Sequence, residues 1–402
     1  MSWQKVKLGE LGEFRNGLNY SKANEGSGLK VISVKDFGDL RVPNFAELDE
    51  INPSGLNIRN SLLDAGDIIF VRSNGNKDLI GRSMFIEKAQ ENVSFSGFCI
   101  RFRNQSDSAH SKFLAYYFRS PVFRRTLSNL GGGTNINNLN QGVLGNFPIL
   151  LPALDQQETI LRTLSAYDDL IENNRRRIGL LEQAARLLYR EWFVHLRFPG
   201  HETAKIVDGL PEGWSRPRLG DVCSTNKNSH KAGKLPTRLR YIDIGSVSTG
   251  RIDHATEMTA EEAPGRARRI AEDGDTIWSN VRPNLRAYAL VTAPRPDDVF
   301  STGFTVLHAE TVSPYFLYLA VTTDDFVKHL ENHATGVGYP AVRADDFERA
   351  LVTKPTDALM AKFHEVCQPI FSHRQQLFDQ NTKLTRARDL LLPRLMDGRI
   401  PV

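Results

Sequence analysis

The chain is written twice, and that repeat constrains its fold more than any other feature. Leu8-Gly9-Glu10 is answered by Leu219-Gly220-Asp221 at an offset of 211, and Ala65-Gly66-Asp67-Ile68-Ile69-Phe70 by Asp273-Gly274-Asp275-Thr276-Ile277-Trp278 at 208. Phe95-Ser96-Gly97-Phe98-Cys99-Ile100 is answered by Ser301-Thr302-Gly303-Phe304-Thr305-Val306 at 206, and Pro152 by Pro355 at 203. Four matches in one order, with a shrinking offset, describe one unit of about 200 residues used twice, the second copy having lost small loops. A unit of that length can bury a core of its own, so two like domains follow.

Each copy has the same plan. Short β-like runs (Asp67–Arg72, Phe98–Phe102, Asp275–Asn280, Ala287–Thr292) are bounded by Gly, Asn and Pro. A helical patch follows, around Lys112–Arg119 in one copy and Tyr315–Ala320 in the other, and then a long helix. The first long helix follows Pro152, with Asp155 as its expected N-terminal cap. Apolar residues recur at Ile160, Leu164, Tyr167, Ile171, Ile178, Leu181, Ala185, Leu188 and Trp192, a four-three spacing broken only by Asn174. That is the seam of a coiled coil. Its echo is Phe363, Cys367, Ile370, Arg374, Leu377, Asn381, Leu384, Arg388, Leu391 and Leu395, polar at three places. Pro369 is expected to kink this helix or mark its start. The fold class is therefore α+β: two tandem mixed α/β domains, 1–150 and 213–353, separated by two long antiparallel coiled-coil helices, 151–197 and 354–402, with a linker at 198–212. Polar seam residues fix register at some cost in stability.

Composition narrows the function. Lys plus Arg number 51 against 47 acids, a net +4 that excludes a protein coating nucleic acid with its whole surface. Local excesses remain, from Lys227 to Arg240 and at Arg266, Arg268 and Arg269. The 3 cysteines lie far apart with no CxxC, so neither a disulfide framework nor a zinc site is expected, and no metal site. No apolar run approaches the roughly 20 residues of a membrane span, and a cytoplasmic location is expected.

No catalytic motif is visible. A phosphate-binding GxxxxGK[ST] loop is missing, and Gly131-Gly132-Gly133-Thr134-Asn135 lacks its lysine. No Asn-Pro-Pro-aromatic motif, HExxH or acid two residues before a lysine occurs. Binding residues are better represented. The loop after the first Gly-Asp strand offers Arg72, Asn74, Asn76, Lys77 and Arg82, and its counterpart Arg282, Asn284 and Arg286. Arginine can pair with guanine O6 and N7, and asparagine with adenine N6 and N7. A second loop carries Thr134, Asn135, Asn137 and Asn138, where the other copy has Tyr339 and Arg343. Arg15, Asn16, Asn226, Lys227, Asn228 and Lys231 complete the candidate DNA-binding set. Scaffold motifs persist between the copies while these loops differ, as expected if each copy reads a different target. Asn, Gly and Ser also make turns with no ligand at all. A non-DNA protein scaffold, or a DNA-modifying enzyme with a cryptic site, stays open at this point.

Several strings together give the chain a family likeness. They are Leu150-Leu151-Pro152 leading to Gln156-Gln157 and Ile160, Glu191-Trp192-Phe193-Val194, and Gly209-Leu210-Pro211-Glu212-Gly213-Trp214. Ser279-Asn280-Val281-Arg282-Pro283-Asn284 and the close Leu391-Leu392-Pro393-Arg394-Leu395-Met396-Asp397-Gly398-Arg399-Ile400 join them. In this order, across essentially its whole length, the chain resembles the specificity subunit of type I restriction–modification systems. The resemblance implies two target-recognition domains on a helical spacer, reading a bipartite double-stranded DNA target, with no catalysis and no cofactor in this chain. It also implies two modification (methyltransferase) subunits that bind S-adenosylmethionine, and restriction subunits that use ATP and Mg²⁺ to translocate and cut DNA. A helical pair in that role acts as a ruler, since four added residues lengthen a helix by about 6 Å, under two base pairs of ~3.4 Å.

Overall fold

The computed structural model of the protein describes residues 3–37, 42–74, 79–130, 139–231, 233–336 and 338–401. They form two compact units, Met1–Glu172 with Asn381–Val402, and Asn173–Gln380. Each holds one copy of the mixed segment and part of two long helices, Leu154–Tyr189 and Asp357–Met396.

In the first unit a four-stranded antiparallel sheet has the order Gly12–Asn16, Cys99–Asn104, Ile68–Val71, Ser83–Phe85. A three-stranded sheet places Glu25–Ile32 between Asp49–Ile51 and Val93–Phe95, the last pairing parallel. The strand Gln4–Lys7 pairs antiparallel with Pro148–Leu151, which leads straight into the first long helix. Helices Ser111–Arg119 and Pro121–Leu130 cover the larger sheet through an aromatic cluster that includes Phe70, Phe102, Phe118 and Phe123.

The second unit repeats this wiring. Cys223–Thr225, Phe304–Ala309, Thr276–Ser279 and Tyr288–Leu290 form a sheet of the same order. A five-stranded sheet contains the parallel pair Arg238–Ile242 and Asp298–Ser301. Bridges Ser215↔Lys354 and Arg218↔Leu351 stand where the first unit has its N-terminal strand pair.

The physics of the Gly-Asp motif is the same in both. Gly66 and Gly274 take left-handed φ values of +93° and +87°, which a side chain would strain. The following carboxylate accepts the backbone N–H three residues back: Asp64 N to Asp67 Oδ2 at 2.8 Å, and Glu272 N to Asp275 Oδ2 at 2.7 Å. The strand leaves that closed turn in a fixed direction.

One part of the sequence alignment is a residue out. Ile68 faces Phe102 across the first sheet and Thr276 faces Leu307 across the second. Phe95 and Phe300 hold the same place beside Ile32 and Ile242. The true offset there is 205, so Cys99 matches Phe304, both fully buried, and Phe98 matches Gly303. A shift of one residue moves a side chain to the opposite face of a strand, and the core decides which register stands.

The long helices run antiparallel within each unit. In the first, Ile160 and Leu164 are buried in the same cluster as Leu392, Leu395 and Met396. In the second, Tyr189, Trp192 and Phe193 surround Phe363, with ring centroids 6.4, 5.7 and 4.8 Å away. Burying a ring of that size contributes about 2–3 kcal/mol. Of the expected seam, Ile171, Ile178, Leu377 and Cys367 are also buried, while Tyr167, Leu181, Leu188, Ile370, Leu384 and Leu391 are half-buried. On the second helix the buried line steps from Ile370 to Phe371 and from Leu391 to Leu392. Pro369 does not begin this helix, which runs unbroken through it, and the proline ring lies exposed. There its missing N–H leaves a carbonyl that water can satisfy. Asp155 is not the cap either. It sits inside the first turn, where a negative charge complements the helix dipole. Gln157 does more at that end. Fully buried, it accepts from His110 N and donates to the carbonyls of Ser108 and Pro152, each at 2.9 Å.

The polar seam positions are partnered. In the first unit, Arg388 pairs with Asp168 at 2.8 Å, Tyr116 donates to the same carboxylate, and Asn381 donates to Ile171 O at 3.3 Å. In the second unit Arg374, 4% exposed, pairs with Glu182 at 3.5 Å and donates to the carbonyl of Gly250. Glu182 also accepts from Tyr318 at 3.0 Å and from Arg186 at 2.8 Å. Burial works against the Arg186 charge, but Tyr318, Tyr288 and Glu182 more than offset it and raise its pKa.

Candidate nucleic-acid interface

In the second unit the strand Thr276–Ser279 ends in a loop knitted to a second loop 60 residues on. Asn280 accepts from Thr305 Oγ1 at 2.7 Å through its side chain, and its carbonyl accepts from Val342 N at 2.9 Å. Arg282 N donates to Pro340 O at 2.7 Å. Arg282 and Arg286 both take left-handed φ values, +51° and +55°, on either side of the turn Pro283–Leu285. Non-glycine residues in that region are uncommon and cluster at functional sites. The Arg282 guanidinium lies 4.6 Å from the ring centroid of Tyr339 and donates from Nη2 to Gly338 O at 3.1 Å. Tyr339 is 72% exposed, and Asn284 is exposed on the turn. Arg286 pairs instead with Asp324 at 2.6 Å. Arg343 is exposed at the start of the helix Ala344–Glu348, which Asp346 caps by accepting Arg343 N at 2.8 Å.

Three of the other second-unit candidates have intramolecular side-chain partners. Asn226, left-handed at +53°, accepts from Val306 N at 3.1 Å and so holds its own bend in the sheet. Lys227 pairs with Glu310 at 3.2 Å, and Asn228 donates to Glu272 at 2.8 Å. Lys231 is exposed and lines a cavity of about 280 Å³ with Arg268 and Glu261.

The first unit's loops hold the same backbone tie, since Leu139 N donates to Arg72 O at 2.9 Å. Arg72 is half-buried and reaches Gly97 O at 3.5 Å, Asn74 is half-buried, and Arg82 is exposed. Arg15 lies 3.4 Å from Glu13, and Asn16 is exposed at the end of the same strand. Asn76, Lys77, Thr134, Asn135, Asn137 and Asn138 lie outside the described residues.

Beneath the loops the sheets carry charge. Asp67 takes Arg103 in a two-pronged pair, Nε and Nη2 each at 2.7 Å, and this hydrogen bonding raises the arginine's pKa. Asp275 takes His308 at 2.7 Å, and burial raises its carboxyl pKa against the pull of that histidine.

The family model of the type I restriction modification DNA specificity domain matches residues 1–183. A type I specificity subunit from Methanocaldococcus jannaschii, MjaIX, is 24% identical over 324 residues, 75% of this chain and 72% of that one. The StySPI specificity subunit of Salmonella potsdam is 32% identical over 184 residues, 43% of this chain and 38% of its own length. The crystal structure of a type I S subunit from M. genitalium superposes with a TM-score of 0.56 at 15% identity, covering 98% of this chain and 96% of that one. The chain is similar to the type I restriction–modification specificity subunits, in sequence over three quarters of its length and in fold over nearly all of it.

The matched family model describes a DNA specificity domain and both relatives are restriction-enzyme specificity subunits, so DNA-sequence recognition in a restriction–modification system is the role these likenesses support. Among the described residues no cluster of His, Cys, Asp and Glu is placed to hold a metal, and no helix is long and apolar enough to cross a membrane. One exposed residue beside these loops carries no sequence signal of its own. Phe98, 63% exposed, accepts the Arg72 backbone N–H at 2.8 Å through its carbonyl. Its neighbours suggested a strand, and only the register correction shows that it faces out.

Proposed function

We propose that this chain is a specificity subunit that reads a bipartite duplex, the mixed segment at 1–150 taking one half-site and that at 213–353 the other. The segments 151–197 and 354–402 serve as the helical spacer, with 198–212 as linker. Two methyltransferase subunits carrying S-adenosylmethionine dock on it, restriction subunits using ATP and Mg²⁺ join them, and the assembly works in the cytoplasm. The observation that carries this reading is the duplicated scaffold with dissimilar loops. One hydrogen bond, Leu139 to Arg72 and Val342 to Asn280, recurs at 2.9 Å between loops whose side chains differ.

The test is an exchange of residues 213–353 for the matching segment of a relative with a different target, followed by sequencing of methylated bases in the host. One half-site should change and the other stay. A change in both, or in neither, would defeat the two-reader arrangement.

A further inference from the structure

The second unit's two loops meet at one stacked pair, and its chemistry is specific. Arginine has five N–H donors in a planar fork. In Arg282 one of them goes to Gly338 O, and the plane lies over the Tyr339 ring. Among the described residues Nε and Nη1 of Arg282 have no hydrogen-bond partner. Arg286, the other arginine of this turn, is tied to Asp324. The backbone that carries Arg282 is held on both sides, by Arg282 N to Pro340 O and by Val342 N to Asn280 O. A left-handed φ at a long side chain persists only where such ties over-determine it. A tyrosine that is 72% exposed contributes little to a core, and here the guanidinium lies over its ring. A free arginine would lose side-chain entropy on binding a base edge, whereas this one is already ordered.

We propose that Arg282 reads a guanine through O6 and N7 in the major groove of the second unit's half-site, and that Tyr339 is a positioning residue that holds the guanidinium plane for it. This deepens the DNA-recognition reading and rests on it. Phosphate contact is the competing role for an exposed arginine. It would lower affinity evenly across sequences, whereas base reading acts at one position.

The experiment uses the full chain with its methyltransferase partners. Methylated motifs are sequenced in hosts carrying the wild type, Arg282→Ala, Tyr339→Ala or Tyr339→Phe. Binding of each complex is then measured to target duplexes in which single guanines are replaced by 7-deazaguanine, which lacks the N7 acceptor. Arg282→Ala should relax one guanine of the second half-site, with discrimination there falling about tenfold or more. The wild type should lose affinity for the 7-deazaguanine duplex at that position, and Arg282→Ala should be indifferent to it. Tyr339→Ala should weaken the same discrimination about two- to fivefold, and Tyr339→Phe should retain it. The proposal is overturned if Arg282→Ala weakens all duplexes equally, if the relaxed position is not a guanine, or if Tyr339→Ala leaves discrimination intact. A wild-type complex without any sequence preference would instead sink the DNA-recognition reading itself.

Discussion

The two units share a strand order and a Gly-Asp turn, yet the same places are wired with different groups. Asp67 holds an arginine that also reaches Asp64 at 2.7 Å, while Asp275 holds a histidine. Gly12 in the first sheet occupies the place of Cys223 in the second, opposite Asn104 and Ala309 respectively. The difference teaches that the scaffold fixes backbone geometry and leaves the choice of side chain to local packing. Four experiments press on that statement.

The largest effect is expected at the helix arginines. Arg374→Ala would strip the Gly250 carbonyl of its buried donor, remove one of the three partners of Glu182 and empty a buried site, and should cost about 2–4 kcal/mol. Arg388 is less buried, and Tyr116 continues to serve Asp168 when it is gone, so Arg388→Ala should cost about 1.5–3 kcal/mol. Chemical denaturation of the purified chain measures both, and equal losses would show that burial does not set the difference.

Next come exchanges at the matched sheet position. A Cβ on Gly12 would lie 2.1 Å from the Arg103 carbonyl oxygen, so Gly12→Cys should cost about 2–3 kcal/mol. The reverse change, Cys223→Gly, removes a small buried side chain and loosens a strand, for about 1–2 kcal/mol. Thermal melting that ranks them the other way would refute the close backbone approach seen only in the first unit. Arg103→His is milder, about 1 kcal/mol, because the shorter side chain keeps Asp67 and loses Asp64. Were His308→Arg to destabilise as much, the second unit's histidine would be a packing requirement rather than one choice of cation.

The smallest effect is a silence. Burial pushes the thiols of Cys99, Cys223 and Cys367 up to about 12. At pH 8 the thiolate fraction is then on the order of 10⁻⁴, so the folded chain should resist iodoacetamide and the unfolded chain should not. The sign follows from the raised folded values. The protonated thiols favour the fold below pH ~9, and that contribution is lost as pH rises toward 12. One such thiol lies in the first unit and two in the second, so alkaline loss should be steeper there. Labelling of a folded thiol at pH 8 would contradict the burial.

Much of the fold was legible in the sequence because its signals are local. The glycines at 66 and 274 and the aspartates after them are demanded by a turn only a few residues long, so the motif survives in the chain order. The seam of the first long helix was readable for the same reason. What was not readable depends on partners distant in sequence. Nothing near Lys227 announces Glu310, nothing near Arg286 announces Asp324, and Arg374 looks like a flaw in a seam until Glu182 is opposite it. The one-residue error at Phe98 has a related cause, since Ser-Gly-Phe and Thr-Gly-Phe align by letter while the sheets align by burial. Residue type marked the loop candidates, but only geometry separates Arg282, with donors to spare, from Asn226, whose amide is committed to Val306.

The Arg374 contact to Gly250 has a consequence for how such a protein can change. The arginine grips a peptide oxygen, an atom every amino acid carries, at a turn that asks only for a glycine at φ +76°. A joint of that kind is indifferent to the letters around it. The surrounding segment can drift or be exchanged by recombination while its anchorage to the helix stays intact, so novelty in what is read need not be bought with a weaker frame.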